Sequence, residues 1–67
     1  MRIVNKLDHV PKNFTRIFGQ YIKETEKAIY FSWDGVIKHL PKSKMIMLIN
    51  GIKPTYFIQN WVLNYCR

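Results

Sequence analysis

Asp34-Gly35 stands between two short segments of β-forming residues, and no other feature restricts the fold of this chain as much. Ala28-Ile29-Tyr30-Phe31-Ser32-Trp33 precedes the dipeptide, and Val36-Ile37-Lys38-His39-Leu40 follows it up to Pro41. A two-residue type I′ turn needs positive φ at both central residues, which Asp and Gly tolerate, and its twist matches that of the strands it joins. Such a turn fixes the register. Trp33 then faces Val36, Phe31 faces Lys38 and Ile29 faces Leu40 on one side, whereas Ser32 meets Ile37 and Tyr30 meets His39 on the other. The first side is apolar and is expected to face the core, with Lys38 at its rim.

The same device recurs at Asn50-Gly51, between Met45-Ile46-Met47-Leu48-Ile49 and Ile52-Lys53-Pro54-Thr55-Tyr56-Phe57-Ile58, and predicts a second type I′ hairpin. Pro54 has no N–H to give a ladder, so the strand after this turn is expected at an edge or broken early. Arg2-Ile3-Val4 reads as a first strand. Asn60, a helix-capping residue type, opens a short C-terminal helix that is expected to dock Trp61 and Tyr65. In the N-terminal third, Phe14, Ile17, Phe18, Tyr21 and Ile22 fall at helical spacing just after Pro11, which predicts an amphipathic helix from Lys12 to Lys23. Gly19 opposes that helix interior at a cost of about 1 kcal/mol, and a single bent strand from Gly19 to Phe31 is the other reading.

At 67 residues the chain is expected to form one domain, 1–67, whose small core only narrowly offsets chain entropy. The lone cysteine, Cys66, leaves no internal disulfide framework, so packing must hold the fold and a reducing compartment, the cytoplasm, is expected. The N-terminal residues lack the layout of a signal peptide, and the longest apolar run, Met45 to Ile49, is too short to span a bilayer; no membrane association is expected. The expected fold is α+β: a small twisted antiparallel sheet of two hairpins, open or barrel-like, with the N-terminal amphipathic helix and the short C-terminal one.

Glu24-Thr25-Glu26-Lys27-Ala28-Ile29, the Asp34-Gly35 turn and Leu40-Pro41-Lys42-Ser43 together resemble a pattern in short uncharacterised phage and mobile-element proteins. The likeness covers residues 24 to 43. In those proteins a terminal Pro-x-Trp-Leu helix often follows, to which Gln59-Asn60-Trp61-Val62 looks like a degenerate counterpart without the proline. His39 also stands where an aromatic residue often precedes the apolar-Pro-Lys-Ser step. The resemblance implies a small twisted-sheet protein of phage or mobile-element origin and implies no reaction.

Catalysis requires clustered groups that exchange protons or attack, and the two His, one Cys and four acidic residues are scattered along the chain. His9, His39 and Cys66 have no metal-ligand spacing, and no phosphate-binding glycine loop is present. Glu24 and Glu26, flanked by Lys23 and Lys27, read as a solvated charged segment. The chain is therefore expected to be non-enzymatic, with no cofactor and no metal.

Eleven Lys and Arg against four Asp and Glu give a net charge of +7, the balance of a protein that meets phosphates or an acidic surface. Lys38, His39, Lys42 and Lys44, with Tyr30 as the cross-strand neighbour of His39, form the expected contact surface: lysines for phosphate, rings for base stacking. The same lysines also suit an edge strand protected against sheet-to-sheet pairing. Lys12, Arg16 and Lys23 form a second expected ridge along the flank of the N-terminal helix. No helix-turn-helix, zinc-finger or aromatic RNA-recognition motif is present, which favours backbone-led contact with nucleic acid over sequence-specific duplex reading. The competing expectation is an inhibitor of a host nucleic-acid-processing protein, such as a nuclease, polymerase or CRISPR effector, anchored by aromatics too numerous for so small a core. A homodimer through the Pro54 strand is a third expectation.

Overall fold

The computed structural model describes residues 1–65, the side chains of 64 and 65 excepted; Cys66 and the expected docking of Tyr65 lie outside the described residues. Among the described residues seven strands make two sheets. The strands are β1 (Arg2–Val4), β2 (Phe14–Arg16), β3 (Gln20–Glu24), β4 (Ala28–Trp33), β5 (Val36–Pro41), β6 (Met45–Ile49) and β7 (Pro54–Gln59), followed by one helix, α1 (Asn60–Tyr65). Short 3-10 turns cover Leu7–His9 and Lys42–Lys44. The order is β3-β4-β5 in the smaller sheet and β1-β6-β7-β2 in the larger.

The first hairpin forms as its sequence predicts. Asp34 and Gly35 take φ of 55° and 74°, and the pairs run from Trp33 with Val36 to Ala28 with Pro41, placing Tyr30 opposite His39. β4 also pairs with β3 through a bulge. Tyr21 faces Phe31 but Lys23 faces Tyr30, so Ile22 is the extra residue.

The N-terminal helix is absent, and the fold is mostly β where an α+β fold was expected. Residues 14–16 pair with β7 and residues 20–24 with β4, and of the apolar stripe only Ile17 is buried; Phe18 is 82% exposed. Thr15, Ile17, Tyr21 and Ile22 are β-branched or aromatic and suit a pleated surface at least as well as a helix, so the available strand partners decide. Gly19 contributes too, because the chain there passes tightly over β4. A Cβ at Gly19 would lie 2.5 Å from Trp33 Cε3 and 3.0 Å from the Ser32 carbonyl oxygen.

The second hairpin also differs from expectation. β6 and β7 pair from Ile49 with Pro54 to Met45 with Ile58, leaving Asn50 to Lys53 as a four-residue loop in which Gly51 alone has positive φ, at 127°. A two-residue turn would have set Pro54 opposite Met47, inside the ladder. The longer loop moves Pro54 to the first position of the strand, where its missing N–H costs least. The register changes by two residues, so each side chain keeps its face. β7 is consequently an interior strand, between β6 and β2, and the larger sheet is mixed because β1 joins β6 in parallel. The homodimer edge expected at Pro54 is thus occupied by β2 over Phe57–Gln59.

Ile29, Phe31 and Leu40 from the smaller sheet pack against Met45 and Ile58 from the larger, with Ile17 and Val62 of α1 completing this main core. On the opposite face of the larger sheet Ile46, Leu48 and Phe57 are buried in a second cluster, packed against Val4 of β1, Phe14 of β2 and Val10. That second cluster accounts for the apolar run of β6, since a strand with buried residues on both faces, Met45 on one and Ile46 and Leu48 on the other, needs no alternation. α1 begins where the Asn60 N–H donates to the Asn13 carbonyl at 2.9 Å and the Thr15 hydroxyl donates to the Asn60 side-chain oxygen. Among the described residues no helix is long and apolar enough to cross a membrane.

Candidate nucleic-acid interface

The smaller sheet uses one face for the core and turns the other outward. Alternation along β4 and β5 sends Ile29, Phe31 and Leu40 inward, and the outward face carries exposed or half-buried Gln20, Lys23, Tyr30, Ser32, Ile37 and His39. Across its middle, Lys23, Tyr30 and His39 form one row from β3 to β5. The Tyr30 and His39 rings stack with centroids 4.6 Å apart and planes 20° from parallel. Lys23 Nζ lies 5.1 Å from the Tyr30 ring centroid, within cation–π range. The bulge is what places Lys23 here: with the register of Tyr21 and Phe31 continued, Lys23 would stand opposite Ile29 on the core side. A shallow depression bounded by Lys27, Ala28, His39 and Pro41 adjoins the stacked rings.

The expected contact group is divided between four places. Tyr30 and His39 come together as their register requires, joined by Lys23, which the sequence had assigned to a helical ridge. Lys38 points to the other side of the sheet, half-buried, with Nζ 5.8 Å from the Trp33 ring centroid. Lys42 is ion-paired to Glu24, and its N–H donates to the Lys27 carbonyl at 2.8 Å. Lys44 Nζ lies 6.0 Å from the Trp61 ring centroid. Lys12 is exposed in the turn before β2, and Arg16, at the end of β2, holds its guanidinium carbon 4.9 Å from the Phe18 ring centroid. With no helix to align them, Lys12, Arg16 and Lys23 form no common ridge.

A groove that sequence reasoning missed opens at the junction of the two sheets, beside β3 and the start of β7. Its volume is about 600 Å³, and its lining includes Arg16, Phe18, Tyr21, Glu24, Lys53 and Tyr56. Tyr21 and Tyr56 stack across the junction at 6.3 Å, and each meets Phe31 edge-on, at 6.0 and 5.1 Å. The Tyr21 hydroxyl donates to Glu24 Oε1 at 2.9 Å, while Lys42 Nζ donates to Glu24 Oε2. These donors, Lys42 first, hold the Glu24 carboxyl below its ordinary range, and the bond to Glu24 raises the Tyr21 phenol above its own. Burial, with the nearby Glu24 charge, raises Tyr56. No local signal announces this site: its walls come from residues 16–24, Phe31 and residues 53–56, which are distant in the chain.

The sheet face brings together rings and cations, and the groove offers an ionised acceptor among aromatics and cations. Both arrangements suit recognition of a flat, anionic ligand. Comparison with protein-family models, curated proteins and solved structures finds no match, and the reading of this surface rests on its geometry.

Proposed function

We propose that this protein is a small non-enzymatic accessory protein, of the phage or mobile-element kind its sequence resembles, that binds single-stranded nucleic acid through the outward face of β3-β4-β5. The observation that carries this reading is the row of Lys23, Tyr30 and His39, in which a stacked ring pair and a cation lie together on the sheet face turned away from the core. An unpaired base stacks on the His39–Tyr30 pair, beside the depression at Ala28 and Pro41. Lys23 and Lys27 meet the flanking phosphates. The net charge of +7 draws the strand in before any ring contact forms.

The test is a salt series of binding to labelled single-stranded and duplex oligonucleotides, with a Tyr30→Ala, His39→Ala double variant beside the parent. Stacking contributes about 1–3 kcal/mol per base, so the double variant is expected to bind about ten-fold or more weakly. The parent is expected to show log affinity falling linearly with log salt, by about 0.7 per phosphate contacted. A folded parent that binds no oligonucleotide at low salt would overturn the reading and direct the search to a host protein partner.

A further inference from the structure

The groove between the sheets carries a second set of groups that the sheet face does not use. Glu24 sits in it with its side chain 45% exposed and both oxygens already fixed, one by the Tyr21 hydroxyl and the other by Lys42. A carboxylate has about four lone-pair positions, so each oxygen keeps one for a ligand. The two oxygens therefore keep acceptor capacity side by side, in a groove that Tyr21 and the 82% exposed Phe18 also line. Arg16 and Lys53 stand among the lining residues as the cations.

We propose that this groove is a guanine-nucleotide subsite, in which Glu24 accepts from the N1–H and exocyclic amine of guanine while Arg16 and Lys53 face its phosphate. The inference rests on the nucleic-acid reading above and adds a base preference to it. Guanine alone of the common bases presents two parallel donors at the spacing of a carboxylate fork; adenine and cytosine offer one exocyclic amine, and thymine or uracil one ring N–H. A guanidinium from a protein partner has the same donor pattern. Its positive charge is opposed by Arg16, Lys53 and Lys42, whereas the charges of a nucleotide, neutral at the base and negative at the phosphate, match the groove at both ends. The two sites share β3: Lys23 serves the outward face, and Tyr21 and Glu24 serve the groove, so a strand crossing the β3 edge reaches both.

The experiment follows backbone amide shifts of the folded protein during titration with guanosine, inosine, adenosine and cytidine 5′-monophosphates. The amides of Tyr21, Glu24, Lys53 and Tyr56 are expected to shift with guanosine monophosphate, at an affinity on the order of ten-fold above inosine monophosphate, which lacks the exocyclic amine. Comparing ligands on the unaltered protein keeps the result independent of any folding defect. Glu24→Gln, which turns one acceptor into a donor, is expected to abolish the preference. Equal affinity for all four nucleotides, or no shift at these amides, would overturn the proposal, as would an arginine dipeptide that shifts them where guanosine monophosphate does not. Oligothymidine binding by the parent and by the Tyr30→Ala, His39→Ala variant reads the sheet face separately, so either site can fail alone.

Discussion

Glu24 shows most plainly what neighbours do to a single residue. In sequence it is one of two glutamates among lysines and reads as solvated charge; in the fold it closes a chain from Tyr21 through its carboxylate to Lys42. Both donors favour the ionised form, Lys42 more than Tyr21, and hold its carboxyl below the ordinary value of 4.5. Because the folded value is depressed, the contribution of the chain is fully present above 4.5 and is lost as pH falls through the lower folded value. Guanine preference is expected to follow the same curve, steady from neutral pH to 4.5 and lost only below it. A carboxyl-carbon NMR titration checks this, and a Glu24 midpoint at or above 4.5 would show that the carboxylate is not held as described.

Among the elements, β3 has the most consequential irregularity. Its bulge inserts Ile22 and sets Lys23 opposite Tyr30, with Glu24 opposite Ile29. Deleting Ile22 removes the extra residue while leaving the pairs Tyr21–Phe31, Lys23–Tyr30 and Glu24–Ile29 available in one continuous register. The deletion is therefore expected to fold, to retain oligonucleotide affinity within about three-fold, and to lower the local twist that bulges introduce. Substituting Ile22→Ala instead should be nearly silent, since that side chain is exposed. Oligonucleotide titration of both variants checks this, and loss of binding on deletion with retention in the substitution would mean that the bulge itself shapes the interface. The β4–β5 hairpin was legible from Asp34-Gly35 because its turn, register and faces are all set within fourteen consecutive residues, 28 to 41. The second hairpin was legible in its strands and faces but not in its loop, because an Asn-Gly signal is local and the conflict with Pro54 is settled only by pairing.

For the whole molecule the decisive event is closure of the smaller sheet on the larger. Leu40 and Ile58 are completely buried where they meet, in a chain whose core is small. Leu40→Ala is expected to cost about 2–5 kcal/mol, a large part of the roughly 5–15 kcal/mol typical of native domains. Urea unfolding followed by circular dichroism reads this directly, and a loss under about 1 kcal/mol would mean that the sheets do not close tightly at Leu40. By itself the sequence determined the Asp34-Gly35 hairpin, the facing of Tyr30 and His39, the first strand, the terminal helix and a basic character, all of which depend on neighbours in the chain or on composition. Only the tertiary structure decided that residues 14–24 are strands, that β7 is interior, that Lys38, Lys42 and Lys44 separate, and that Arg16, Tyr21, Glu24 and Tyr56 share a groove. The physical reason is that a helical stripe and a pair of strands can be written with the same apolar residues. Partner strands distant in the chain supply the hydrogen bonds and buried surface that select between them.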